Sequence, residues 1–177
     1  MKTFKTFMAV SLLLITFGIS AQNDKDKQVI TDAKKAKITL LEKDPGLKKF
    51  FDNSKGYAIF PNVGKGALII GGATGNGVVY EHGKLIGMAN LKNLSVGLQA
   101  GGESLIEIIF FETKEALEEF KEGKFEFSAR ASAVAADKGV SADANYNDNV
   151  LVFTLPKAGL MADTSVGGQK FEFHSFK

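Results

Sequence analysis

Residues 66–83, GALIIGGATGNGVVYEHG, hold six glycines among aliphatic residues, and this stretch constrains the fold more than any other. Such a stretch either cradles a phosphate or lets strands bend and pack closely. A dinucleotide-binding loop needs glycine at i, i+2 and i+5 ahead of a helix, but Gly75 and Gly77 are followed by Tyr80 instead of a third glycine. The residues around Tyr80 are typical of a strand, so the helix N-terminus that would hold a phosphate is missing. The sequence therefore predicts no nucleotide site.

The glycines are interpreted as features of backbone geometry. Gly71 and Gly72 are expected to form a bend or bulge, because glycine inside a strand pattern marks such irregularities. Asn76 and Gly77 are expected to form a tight turn. Glycines at these positions would let neighbouring strands curl.

Residues 1–21 have the layout of a secretory signal peptide and are not expected to be part of the fold. Lys2 and Lys5 precede an apolar run over residues 8–19, and the small residue Ala21 is a suitable cleavage point. The run is shorter than the roughly 20 apolar residues that a spanning helix needs. We therefore expect export to the periplasm or the extracellular space, and a single mature domain over residues 22–177. The chain has no cysteine, which excludes disulfides, thiolate metal sites and thiol nucleophiles.

The N-terminal part of the mature chain has the periodicity of an amphipathic helix over residues 28–43. The helix is expected to end at Lys43, because Asp44 precedes a proline and is therefore disfavoured in the helical region. Asp44 is then expected to cap a second, short helix with Pro45 at its first position and Phe50 on its buried side.

After Gly56 the pattern changes to short apolar runs separated by turn residues, which is typical of strands. One short helix over residues 114–121, capped by Thr113 and stopped by Gly123, interrupts this region. Strands without intervening helices are expected to pair as antiparallel meanders. The predicted fold is therefore α+β: a curved antiparallel β-sheet or partly closed barrel with N-terminal amphipathic helices and one short middle helix. The predicted strands are 57–60, 67–70, 78–81, 85–88, 91–100, 104–111, 125–135, 150–155, 158–164 and 169–173, with a hairpin turn at His82 and Gly83 and a turn joining 91–100 to 104–111 at Gly101 and Gly102.

Groups that could carry catalysis are sparse. The two histidines, His82 and His174, lack the i+3 or i+4 partner of a helical metal site and are interpreted as structural or surface residues. Glu103 and Glu107 would lie about 13 Å apart along a strand, too far for a glycosidase pair, and are interpreted as exposed carboxylates. We therefore predict a protein that is not an enzyme and has no cofactor and no metal site.

Charge is distributed unevenly along the chain. Without Lys2 and Lys5 the basic and acidic residues balance at 20 each, yet residues 23–65 hold ten lysines against six carboxylates. The balanced charge, a single arginine, the absence of tryptophan and the expected export argue against nucleic-acid binding. A basic N-terminal segment on a neutral protein suggests an anionic surface as partner, although the two halves of the chain could instead neutralise each other.

Two blocks of the sequence resemble the SYLF domain family: KGYAIFPNVGKGALIIGGATGNGVVYEHGKL at 55–85 and NLSVGLQAGGESLIEIIFFETKEALEEF at 93–120. The second block contains a G-x-Q-x-G-G turn, and the alanine-rich FEFSARASAVAA and the final KAGLMADTSVGGQKFEF follow in the order of the family. The resemblance covers most of the mature chain and implies a lipid-binding module. It also implies phosphoinositide ligands, as in eukaryotic members, and membrane contact through the amphipathic N-terminal helix.

The resemblance and the basic segment together predict binding of an anionic, phosphoinositide-like phospholipid or another amphiphile at a membrane surface. The alternative is an envelope structural or protein-interaction domain with a protein partner and no lipid specificity. For the helix over 28–43 a further alternative stays open: its apolar face could pack permanently on the sheet, because one face cannot be buried twice. Seven lysines are predicted to contact lipid: Lys34, Lys35, Lys37, Lys48, Lys49, Lys55 and Lys65.

Overall fold

A computed structural model describes residues 24–64, 74–93, 104–125, 134–135, 137–157 and 169–176. Three helices lie within these residues: α1 over residues 24–43, α2 over Lys48–Asn53 and α3 over Lys114–Lys121. Short 3-10 turns cover Pro45–Leu47 and Val140–Ala142. The strands are β1 (Gly56–Gly64), β2 (Thr74–Glu81), β3 (Lys84–Asn93), β4 (Ser104–Phe111), β5 (Val134–Ala135), β6 (Val150–Pro156) and β7 (Gln169–Ser175).

The described strands form one sheet in the order β5-β6-β4-β1-β2-β3-β7. Neighbouring strands are antiparallel, except that β5 runs parallel to β6. Within the described residues β5 and β7 form the two edges, so the sheet is open. The predicted α+β class with a mainly antiparallel sheet is confirmed.

The corner between α1 and α2 forms as the sequence predicts. Helix α1 ends at residue 43, and Asp44 has an extended conformation ahead of Pro45. The Asp44 carboxylate accepts a hydrogen bond from the backbone N–H of Gly46 at 3.0 Å and another from that of Ser141 at 2.8 Å. The second bond joins this corner to the 3-10 turn ahead of β6. Asp44 therefore caps a helix and also fixes the helical layer to a distant part of the chain.

Both faces of the sheet are buried, because successive strand residues point to opposite sides and both sides are covered. The outer face is defined here as the side on which Ala33, Ala36 and Leu40 of α1 pack, and all three are buried there. The inner face packs against Leu117 and Phe120 of α3. The apolar face of α1 is thus packed on the sheet, which is the second of the two alternatives open for this helix.

The sheet curls so strongly that strands far apart in its order meet across the inner face. β4 is the third strand of the sheet and β7 the seventh, yet Gln169 Nε2 donates a hydrogen bond to Glu107 Oε2 at 3.0 Å. The ring centroids of Phe60 on β1 and Phe171 on β7 are 5.7 Å apart. The ring of Phe120 on α3 lies 5.0 Å from that of Phe171, so α3 covers one end of the curled sheet.

Gly77 shows why this sheet needs glycine. A Cβ atom at Gly77 would lie 2.5 Å from Cδ1 of Phe60 and 2.6 Å from the carbonyl oxygen of Ile59. Gly77 lies inside β2 and pairs with Ala89, so the predicted tight turn at Asn76 and Gly77 is wrong. The interpretation of this glycine as a place of close packing is nevertheless confirmed, because its missing side chain admits the Phe60 ring.

Two strand predictions need correction. β1 does not stop before Pro61. The register of β1 with both neighbouring strands shifts between residues 59 and 63, which marks a bulge. Pro61 has no N–H to donate and lies within this bulge. The described parts of 91–100 and 104–111 do not pair with each other. β3 is flanked by β2 and β7, and β4 by β1 and β6, so both sides of each strand are occupied.

Some of the other local predictions are confirmed, and the rest concern residues that the structure does not describe. The hairpin turn at His82 and Gly83 is confirmed, with φ values of 48° and 76°, and so are the Thr113 cap and the Gly123 stop of α3. Several predicted features lie outside the described residues: segment 1–21, Lys65, strands 67–70 and 158–164, the bend at Gly71 and Gly72, the turn at Gly101 and Gly102, and most of 125–135.

Candidate functional site

The predicted lipid-contacting lysines do not form one cluster. Lys34 and Lys35 are exposed on α1, and Lys35 Nζ lies 3.8 Å from the Asp32 carboxylate. Lys55 is exposed at the start of β1, where its backbone carbonyl accepts a hydrogen bond from His82 N–H at 3.1 Å. This position is at the hairpin end of the sheet. Six of the seven predicted lysines are described, and they are spread over several surfaces. Lys65 lies outside the described residues.

The side chain of Lys37 contacts two aromatic residues of the fold. Its Nζ donates a hydrogen bond to the Tyr57 hydroxyl at 3.2 Å and lies 4.2 Å from the centroid of the Phe51 ring. Burial lowers the pKa of the Lys37 ammonium, and the nearby Asp52 carboxylate opposes this shift. The side chain thus joins α1 to α2 and the sheet, and its charge faces aromatic rings.

The lysines of α2 are exposed but already have partners. Lys48 Nζ lies 2.5 Å from the Asp52 carboxylate, one helical turn later. Lys49 Nζ donates to the carbonyl oxygen of Ala142 at 3.3 Å and lies 4.7 Å from the centroid of the Phe50 ring. Exposed pairs of this kind hold the side chains only weakly, so both cations remain available to an anionic surface.

A groove of about 570 Å³ lies between α1 and the ends of β1, β4 and β6. Its floor is apolar and includes Ala36 of α1, Ile106 of β4 and Leu155 of β6. Ala36 and Ile106 are buried, and Leu155 is half-buried. The volume lies within the range of about 300–1,000 Å³ that is common for ligand sites. We call this feature the lysine-rimmed groove, because Lys35, Lys43 and Lys157 also line it.

The charge of the lysine-rimmed groove is positive. Three lysines and one carboxylate, Asp32, line it. Lys43 Nζ lies 3.4 Å from Asp137 in an exposed ion pair, and Lys157 donates a hydrogen bond to the side-chain oxygen of Asn62. Because the Asn62 amide is neutral, this contact does not compensate the charge of Lys157. The groove therefore combines cations at its rim with an apolar floor, which is the combination that an anionic amphiphile requires.

Sequence reasoning found only one of the three lysines of this groove. Lys35 was predicted, whereas Lys43 and Lys157 were not. Lys157 follows β6 and comes close to α1 only because β6, β4 and β1 are neighbours in the sheet. The signal available in the sequence was a lysine directly after a strand, which is too common to indicate a site.

The inner face contains a buried polar pair that sequence reasoning interpreted wrongly. Glu107 was predicted to be an exposed carboxylate, but it is 2% exposed and faces the interior. Its neighbours Ile106 and Ile108 belong to the core on the outer face, so alternation along β4 turns Glu107 inward. Burial raises the pKa of Glu107 to about 7, and the hydrogen bond from Gln169 opposes this shift. Glu103, its predicted companion, lies outside the described residues.

The histidines are not assembled with carboxylates into a metal site. His82 lies in the hairpin turn, and His174 Nε2 is 3.1 Å from Asn90 Nδ2 on the exposed part of the sheet. In the part of the chain that the structure describes, no group of three or more His, Asp or Glu side chains could hold a metal ion. No helix within the described residues is both long and apolar enough to cross a bilayer.

These features define an α+β domain with one curled sheet, a helical layer on its outer face and an aromatic core inside. Residues 92–175 match the Ysc84 family model, described as Las17-binding protein actin regulator. Ysc84 is the SYLF domain, so the match confirms the predicted SYLF resemblance. The SYLF family is associated with lipid binding.

One relative is similar over most of the chain. Beta cell expansion factor A of Aeromonas veronii, a SYLF-family protein, is 29% identical to the chain over 143 residues. The matched region is 80% of this chain and 54% of the relative, so the chain spans about half the length of that relative.

Proposed function

We propose that the protein binds an anionic phospholipid, or another anionic amphiphile, at a membrane surface. The observation that carries this proposal is the lysine-rimmed groove, in which Lys35, Lys43 and Lys157 surround an apolar floor. The anionic head group would contact the lysines, and the first part of an acyl chain would lie on Ile106 and Leu155. The association of the SYLF family with lipid binding supports the same class of ligand.

The exposed side of α1 offers a contact with the membrane itself. Ile38 is 57% exposed, although its neighbours on the other side of the helix are buried in the core. Lys34 precedes it by one helical turn and is also exposed. An exposed aliphatic residue beside a lysine can enter the interfacial region while the ammonium contacts phosphate groups. Membrane contact through this side does not require α1 to leave the sheet.

The proposed binding involves no catalytic step and no cofactor, and it takes place outside the cytoplasm. The signal-like layout of residues 1–21 supports export. The sparse and scattered histidines support a binding function in preference to catalysis. Among anionic ligands, a phosphoinositide-like head group carries several negative charges and would contact several lysines at once. Each lysine near an anionic surface contributes about 1 kcal/mol to binding.

Co-sedimentation with liposomes tests the proposal. The protein should sediment with liposomes that contain an anionic phospholipid and remain in the supernatant with liposomes of zwitterionic phospholipid alone. The double variant Lys35→Glu/Lys157→Glu should weaken binding about tenfold or more, because it reverses two charges at the groove. The matched control is Lys84→Glu/Lys114→Glu, which makes the same change of net charge at exposed positions outside the groove.

Two outcomes would contradict the proposal. If the protein sedimented equally with zwitterionic liposomes, the anionic head group would not be recognised. If the two double variants lost binding equally, the groove would not be the site, and binding would follow net charge alone.

A further inference from the structure

Two oxygens of the buried pair Glu107 and Gln169 find no hydrogen-bond partner within the described part of the chain. Glu107 is 2% exposed and Gln169 is also 2% exposed, and one hydrogen bond of 3.0 Å joins them. Glu107 Oε1 and Gln169 Oε1 have no hydrogen-bond partner among the residues that the structure describes. A buried polar atom without a partner costs about 1–3 kcal/mol, and more if it is charged. Two such atoms on one pair call for an explanation, and a bound molecule that donates hydrogen bonds to them would supply one.

The chemistry of the missing partner follows from the two atoms. A carboxylate oxygen and an amide oxygen both accept hydrogen bonds. Above the Glu107 pKa of about 7 the carboxyl group is ionised, and only the N–H group of Gln169 can donate to it, which fixes the orientation of the amide. In this ionised state both unsatisfied atoms require a donor, and an anionic group would be repelled by the carboxylate.

Apolar side chains pack around this polar pair, together with the buried Thr154, which lies opposite Glu107 in the register of β4 with β6. Phe60 lies opposite Glu107 in the register of β1 with β4, and it is fully buried. Leu105, two residues before Glu107, packs against the inner core. Gln169 is the first residue of β7, and β4 begins three residues before Glu107, so the pair lies close to one end of the curled sheet. A molecule that reaches it would place its donor at the pair and its apolar part against these side chains.

We propose that this end of the inner face binds an amphiphile through a hydrogen-bond-donating head group, an ammonium or a hydroxyl, held by Glu107 and Gln169. This site is separate from the lysine-rimmed groove. Ile106 lies on the floor of the groove, whereas the next residue, Glu107, faces the opposite side of the sheet. The two sites also have opposite selectivity, because lysines attract anions and the carboxylate attracts cations and donors.

Three probes that share a dodecyl-length chain distinguish these head groups: dodecylammonium, monododecanoylglycerol and dodecanoate. Binding to the full chain is measured at pH 8 by native mass spectrometry and calorimetry, below the concentration at which each probe forms micelles. The ammonium and the glycerol ester should each bind at one site, about tenfold or more tightly than dodecanoate does there. The Lys35→Glu/Lys157→Glu variant should retain this binding, which separates the inner site from the groove.

The Glu107→Gln variant tests the role of the carboxylate. Glutamine has almost the same shape and can still accept the hydrogen bond from Gln169, but it has no charge. Affinity for dodecylammonium should fall about tenfold, whereas Glu112→Gln, an exposed control just after the same strand, should leave it unchanged. Gln169→Met removes the second acceptor and should also weaken binding. Equal or tighter binding of dodecanoate at this site, unchanged affinity in Glu107→Gln, or no bound probe at all would overturn the proposal.

Discussion

Replacing Glu107 with glutamine should change how the free energy of unfolding depends on pH. The carboxyl group has an ordinary pKa of 4.5, and burial raises it to about 7 in the folded protein. The folded state therefore holds this proton more tightly than the unfolded chain does. Stability is unaffected by this group below pH 4.5, decreases as the pH rises towards 7 and then stays constant.

The size of the effect follows from the two pKa values. The difference between 4.5 and about 7 corresponds to about 3 kcal/mol at about 1.4 kcal/mol per unit. The wild type should lose about 3 kcal/mol relative to Glu107→Gln between pH 4 and pH 8.5. Groups that titrate equally in both proteins cancel in this difference.

Urea unfolding followed by far-UV circular dichroism measures both proteins at each pH. Glu112→Gln is the control, because it removes a carboxylate from an exposed position just after the same strand. If the free energies of wild type and Glu107→Gln ran parallel from pH 4 to pH 8.5, the carboxyl group would not be desolvated. The interior placement of Glu107 would then be wrong.

Three further variants test the packing. Lys37→Ala should lower the free energy of unfolding by about 1 kcal/mol through its lost hydrogen bond and cation–π contact, and a loss of liposome binding at unchanged stability would contradict this structural role. Gly77→Ala should destabilise by about 2 kcal/mol or more, because the new methyl group collides with Phe60; a wild-type melting temperature would refute that contact. Asp44→Ala should cost about 1–3 kcal/mol, since the N–H groups of Gly46 and Ser141 lose their acceptor, and an unchanged urea midpoint would show that neither bond stabilises the fold.

Local signals in the sequence predicted the C-terminal ends of the helices well, although α1 begins at residue 24 and not at residue 28 as predicted. The ends of α1 and α3 depend on residues within one turn, such as the proline after Asp44 and Gly123 with its φ of 68°. The hairpin at His82 and Gly83 is equally local. These features are set by backbone sterics and by the nearest hydrogen bonds, so a single sequence contains them.

The pairing of strands was harder to predict, because it depends on residues distant in sequence. The sequence suggested that 91–100 pairs with 104–111, since the two runs are adjacent along the chain. In the structure β4 instead lies between β1 and β6. The misassigned turn at Gly77 has the same origin, because only the position of the Phe60 ring distinguishes a glycine that turns from a glycine that makes room.

The candidate site, too, could be predicted only in part. A basic surface was predicted from composition, but which lysines share it depends on tertiary structure. Lys157 reaches the groove through the order of three strands, and the half-buried Lys37 is held against Tyr57. The inward orientation of Glu107 follows from the register of β4, which a continuous run of apolar residues around it does not reveal.

Photo-crosslinking with an anionic phospholipid that carries a reactive group near the start of its acyl chain tests the central proposal most directly. The protein is irradiated on liposomes, and the modified residues are located by mass spectrometry of its peptides. Adducts should concentrate on Ala36, Ile106 and Leu155, and they should disappear in the Lys35→Glu/Lys157→Glu variant. Adducts spread over the whole surface, or equal labelling by a zwitterionic phospholipid with the same reactive group, would contradict the assignment of the groove as the lipid site.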